Sequence, residues 1–120
     1  MLRCLIIDDN AAFLDASSSL LERQGLSVVG RASNGADGVR LAAELAPDLI
    51  LLDIDLGAEN GFTVAGQLAA TDAAGTRDVI LISTHPEDDF AELVEQSPVA
   101  GFIAKSDLSV EAIERFQNRS

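Results

Sequence analysis

The run Leu49-Ile50-Leu51-Leu52-Asp53 is four large apolar residues closed by a carboxylate. A strand open to water on one face alternates apolar and polar side chains. An unbroken apolar run instead suits a strand covered on both faces, as in a parallel sheet. Comparable short runs lie at residues 2–7, 26–29, 79–82 and 99–103. Most are bordered by Gly, Pro, Asp or Asn, so the chain reads as five strands.

Helical segments separate them. Residues 9–24 put Phe13, Leu14, Leu20 and Leu21 on one stripe, with Gly25 as the stop. Residues 34–46 carry Ala36, Val39, Ala43 and Ala46 at helical spacing before Pro47. Residues 60–72 repeat the pattern with Phe62, Ala65 and Ala69, and the small residues up to Gly75 read as the helix end and the loop after it. Thr84-His85-Pro86-Glu87 reads as a helix start, and Ser109 as the cap of a last helix holding Ile113 and Phe116. The order βαβαβαβαβα predicts an α/β fold with a parallel sheet, helices on both faces and right-handed crossovers.

The chain has 120 residues, enough for one core and too few for two. Its 20 acids against 8 Lys and Arg give a net charge of −12, which repels nucleic-acid backbones and suits cations or basic partners. No apolar run approaches the roughly 20 residues that span a bilayer. The first apolar stretch is short and ends in acids, unlike a signal peptide, so a cytoplasmic location without membrane attachment is expected. Cys4 stands alone, which excludes an internal disulfide and reads as a small buried thiol.

Ligands of a doubly wound sheet bind beyond the carboxyl ends of the strands. The first strand ends in Asp8-Asp9, the third in Asp53, the fourth in Ser83-Thr84 and the fifth in Lys105. With strand order 2-1-3-4-5 those ends are neighbours, and three carboxylates, a hydroxyl and one ammonium share a pocket. Clustered carboxylates repel one another, and a divalent cation relieves them. Magnesium takes oxygen ligands and can also hold phosphoryl oxygens. An Asp can itself be the nucleophile of phosphoryl transfer.

These residues together resemble the receiver domains of two-component response regulators. The matching parts are Leu5-Ile6-Ile7-Asp8-Asp9, Leu49-Ile50-Leu51-Leu52-Asp53, Asn60-Gly61, Ile80-Leu81-Ile82-Ser83 and Gly101-Phe102-Ile103-Ala104-Lys105. The resemblance implies one receiver domain over residues 1–120, with a flavodoxin-like (βα)5 fold and strand order 2-1-3-4-5. It implies Asp53 as phosphoacceptor. Asp8 and Asp9 would hold magnesium, or manganese in its place, Asp9 directly and Asp8 through water. Asp53 and the backbone carbonyl of Asp55 would complete the protein ligands. Ser83 and Lys105 would bind the phosphoryl group. Ser83 and Phe102 would form a switch, the ring moving inward, that alters the surface of the fourth helix, fifth strand and fifth helix. The side chains of Asp55 and His85 would border the phosphoryl group and tune its lifetime, although His85 also reads as a solvated residue before Pro86. Implied partners are a sensor histidine kinase, a downstream protein or output domain, and a second copy in a phosphorylation-linked homodimer. No enzymatic turnover is expected beyond self-phosphorylation and slow self-dephosphorylation.

Gly57 and Ser106 stand where prolines are common in the family. Residues 57–60 are therefore expected to form a more mobile loop, and a cis peptide after Lys105 is not expected. Two other functions fit parts of the pattern. One is a phosphorylation-independent interaction module of the same fold. The other is a phosphatase of the haloacid-dehalogenase type, suggested by Asp53-Ile54-Asp55. The chain reads as a single-domain receiver or as one cut from a longer regulator; residues 101–108 look most like regulators carrying a helix-turn-helix domain.

Overall fold

A computed structural model describes residues 2–72 and 77–117. The predicted loop after the third helix lies partly outside them, at residues 73–76. The elements are β1 (Arg3–Ile7), α1 (Ala11–Arg23), β2 (Ser27–Ala32), α2 (Gly35–Leu45), β3 (Leu49–Asp53), β4 (Asp55–Leu56), β5 (Glu59–Asn60), α3 (Gly61–Ala70), β6 (Asp78–Ser83), α4 (Ala91–Gln96), β7 (Gly101–Ala104) and α5 (Val110–Gln117). Five strands form one sheet in the order β2-β1-β3-β6-β7, all parallel. That is the expected 2-1-3-4-5 order once the small antiparallel β4–β5 pair is set aside.

The side-chain period of two divides the sheet between two cores. Leu5, Ile7, Ile50 and Leu52 face Ala42 of α2 and Val64, Ala65 and Leu68 of α3. Cys4, Ile6, Leu49 and Leu51 face Leu14 and Leu21 of α1 and Ile113 of α5. The central strand β3 is buried at every position, as its unbroken apolar run predicts. Among the described residues no helix is long and apolar enough to cross a membrane.

Several local expectations need correction. The buried stripe of α2 is Gly35, Gly38 and Ala42, while Ala36, Ala43 and Ala46 are exposed. A count of apolar side chains overlooks glycine; a Cβ on Gly38 would come within 2.5 Å of the Ile7 side chain, so this helix lies unusually close to β1. In α3 the buried side chains are Val64, Ala65 and Leu68, and Ala69 is exposed. The fourth helix is broken: a 3-10 turn at Glu87–Asp89 precedes a six-residue α4. None of its residues is buried, and Ser97 before Pro98 is extended, as the proline ring requires of its predecessor. Residues 57–60, expected as a mobile loop, include one arm of the β4–β5 hairpin. Gly57 has φ +72°, a conformation closed to proline, so the departure from the family's usual residue has a backbone cause. No cis peptide occurs among the described residues.

Candidate functional site

Three asparagines set the loops around the site. Asn10, Asn34 and Asn60 cap α1, α2 and α3, each side-chain oxygen accepting a backbone N–H from the first turn. The first two caps follow β1 and β2. The third closes the hairpin that follows β3.

Asp8 follows β1 directly and is fully buried, and Asp53 ends β3 at 5% exposure; Asp9 is exposed. One carboxylate oxygen from each of these three lies within 4.8 Å of the others. Lys105, just after β7, brings Nζ to 2.7 Å from Asp8 Oδ2 and 3.4 Å from Asp53 Oδ2. Asp8 Oδ1 accepts the Asn10 N–H at 2.9 Å. Asp8 Oδ2 is enclosed and accepts no well-aligned hydrogen bond among the described residues, so its contact with Lys105 is one of charge. Three carboxylates thus cluster with one ammonium, which contacts Asp8 and Asp53, and the excess negative charge sits partly in the interior. Burial pushes the Asp53 carboxyl up, the Asp8 charge adds to this, and Lys105 and the Asp55 N–H pull it partly back, leaving it at about 6.

An all-oxygen set whose buried Asp8 Oδ2 has an ionic contact but no aligned hydrogen bond fits a small hard divalent cation. Asp8, Asp9 and Asp53 are the side chains that could hold one. Asp55 begins the hairpin; its N–H donates to Asp53 Oδ1 at 3.2 Å. The Asp55 carboxylate is exposed and accepts the Gly57 N–H at 3.3 Å.

Ser83 ends β6, buried, and its Oγ accepts the His85 N–H at 3.0 Å. His85 is exposed, and its ring meets Phe90 edge-on. Ser83, His85 and Phe90 form one wall of a cleft of about 390 Å³ whose other wall is the β4–β5 hairpin. Phe102 is 7% exposed and packs in the core with Leu81, its partner across the β6–β7 ladder. Its ring already lies inward.

Two features of the site escape sequence reasoning. Phe13 reads there as an ordinary member of an apolar stripe, yet its ring lies under Lys105 Nζ, 4.4 Å from the ring centre. Glu59 has no motif around it, yet its carboxylate accepts the Gly35 N–H at 2.9 Å and ties the hairpin to the first turn of α2. Both contacts join residues far apart in sequence, and only the folded sheet makes them neighbours.

Residues 4–115 match the response regulator receiver domain family. The virulence transcription regulator BvgA of Bordetella pertussis is 33% identical over 86% of this chain and 48% of its own length. Protein PilH of Pseudomonas aeruginosa is 35% identical over 73% of this chain and 72% of its own. The solved receiver domain of the putative response regulator NarL from Mycobacterium tuberculosis superposes with a TM-score of 0.81 at 28% identity, covering 98% of each chain. The chain spans about half the length of the first curated relatives it matches. The match over nearly the whole chain, on a sheet of the expected order, makes this protein a member of the response regulator receiver domain family of two-component signalling.

Proposed function

We propose that Asp53 accepts a phosphoryl group in a magnesium-dependent reaction, from the phosphohistidine of a sensor histidine kinase or from a small phosphodonor. The observation that carries this reading is the gathering of Asp8, Asp9 and Asp53 within 4.8 Å of one another, with Lys105 against Asp8 and Asp53 and one buried oxygen of Asp8 in ionic contact with it but without an aligned hydrogen bond. Magnesium, or manganese in its place, held by Asp8, Asp9, Asp53 and the Asp55 carbonyl, would supply neutralising charge for phosphoryl oxygens.

The chain's own residues have defined tasks. An oxygen of Asp53 attacks phosphorus; the new O–P bond forms as the donor's N–P or O–P bond breaks, and that electron pair stays on the donor. Lys105 Nζ, now 3.4 Å from Asp53 Oδ2, follows the negative charge onto a phosphoryl oxygen. Ser83 Oγ accepts the His85 N–H and retains its own proton, which it donates to a second phosphoryl oxygen. Drawing Ser83 toward the phosphate changes the space beside Phe102 and Leu81. The change passes to the α4, β7 and α5 surface, where a downstream protein, an output domain or a second copy would dock. Self-dephosphorylation by water would end the signal, without multiple turnover.

Intact-mass spectrometry after incubation with a small phosphodonor and magnesium tests the reading. One added phosphoryl group is expected in the wild type and none in Asp53→Asn. No adduct in the wild type, where a control receiver reacts, overturns it. The Asp55 carboxylate, two residues past Asp53, would border the phosphoryl group, so Asp55→Ala should change the half-life of the adduct. An unchanged half-life removes Asp55 from this role.

A further inference from the structure

Lys105 is the only lysine in the sequence, and it is the only basic side chain facing Asp8 and Asp53 among the described residues. Its ammonium is compact and strongly hydrated in water. Here its side chain is 13% exposed, so most of that hydration is gone. Two sides of Nζ face Asp8 Oδ2 at 2.7 Å and Asp53 Oδ2 at 3.4 Å. A third side faces the Phe13 ring, 4.4 Å from its centre. The negative face of an aromatic ring attracts a cation, and more strongly when water is excluded.

Phe13 is held in turn by the site itself. The Phe13 N–H donates to Asn10 Oδ1 at 3.1 Å, and the Asn10 N–H donates to Asp8 Oδ1 at 2.9 Å. The contacts close a circuit, running from Asp8 to Asn10, to Phe13, to Lys105 and back to Asp8. The N-cap of α1 therefore fixes the Phe13 backbone relative to the same carboxylate that holds the ammonium.

We infer that Phe13 is a positioning residue for phosphoryl transfer: its ring holds Lys105 Nζ at the site while the anionic partners of that ammonium change. This rests on the reading of Asp53 as phosphoacceptor. Before transfer Nζ is shared by two carboxylates. Afterwards it must bond a phosphoryl oxygen attached to one of them. A hydrogen-bond acceptor in place of Phe13 would bind Nζ in one direction and resist that shift. An aromatic face is nearly isotropic about its axis, so Nζ slides across it without losing contact. The ring also keeps water from taking up the freed N–H donors. No charge is added to a site already rich in acids.

The single lysine makes the test direct. Protein carrying 13C-labelled lysine gives one set of side-chain NMR signals, all from Lys105. In the metal-free wild type the ring should shift the Lys105 Hε protons upfield and give cross-relaxation to Phe13 ring protons. Phe13→Leu should return the Hε signal to the free-lysine position, and Phe13→Tyr should keep it shifted. With saturating magnesium and a small phosphodonor, Phe13→Leu should form the adduct roughly tenfold more slowly, from the strength of a desolvated cation–ring contact. Phe13→Tyr should recover most of that rate. The magnesium concentration for half-maximal rate should move little, because Phe13 offers no oxygen to the metal. An unshifted wild-type Hε signal overturns the inference, since the contact would then be absent in solution. A signal that moves in Phe13→Leu with an unaltered rate also overturns it, since the ring would then hold the lysine to no effect on transfer. Failure of the wild type to form any adduct instead overturns the phosphoacceptor reading, and takes the positioning role with it whatever the Hε signal shows.

Discussion

Asp53 holds its proton to a higher pH than a free aspartate, because folding removes it from water and sets Asp8 beside it. The sign of the resulting stability change follows directly. Below about pH 4 the folded and unfolded chains are both protonated at this position. As pH rises, the unfolded chain ionises first while the folded chain keeps its proton up to about 6. The stability associated with protonated Asp53 is therefore full below about pH 4 and lost as pH passes through about 6. In metal-free protein, Asp53→Asn should gain stability relative to wild type over that window, by an amount on the order of 2 kcal/mol. Urea midpoints of both proteins at pH 4 and pH 7.5 measure this. An equal difference at the two pH values contradicts it. Divalent metal should narrow the difference, because it favours the ionised carboxylate. At this scale the acids were legible in the sequence, since each ends an apolar run. The roles of Phe13 and Glu59 were not, because their contacts cross from one element to another.

The elements explain how the acids stay in place. Each of the first three helices begins on an asparagine cap, which fixes where the preceding loop stops. The β4–β5 hairpin has little core of its own; Leu56 is buried, while Glu59 and Asn60 are exposed. Its anchor is the charge-assisted bond from the Gly35 N–H to Glu59, at the positive end of α2. Glu59→Ala should cost about 1 kcal/mol in urea unfolding and speed hydrogen exchange at Gly35; Glu59→Gln should recover part of both. Unaltered exchange at Gly35 removes the anchor. The expected stripe of α2 failed for a related reason. Its contact with β1 is made by glycines, which carry no hydrophobicity signal, and backbone proximity replaces side-chain area there.

For the whole molecule, the sheet is the rigid body on which the site is built. Cys4 lies in its interior at 0% exposure, and burial pushes its thiol up to about 12. Native protein should therefore react with a thiol reagent at pH 8 orders of magnitude more slowly than a free cysteine, and denaturant should restore the ordinary rate. Rapid labelling of native protein contradicts the strand placement. The central strands fill both cores without interruption. Leu51→Ala should thus cost about 2–5 kcal/mol in urea unfolding, against well under 1 kcal/mol for a surface change such as Glu95→Ala.

The sequence by itself determined the five strands, their parallel pairing and the acids at their ends. Those features are local: an apolar run, a turn residue and a carboxylate are readable within about ten residues. Only the tertiary structure decided the α2 packing face, the broken fourth helix, the hairpin after β3 and the ring under Lys105. Each of these depends on what a distant segment offers. Gly38 lies close because Ile7 is there, Glu59 is held by the start of α2, and Lys105 meets Phe13 because β7 and α1 converge on the same end of the sheet.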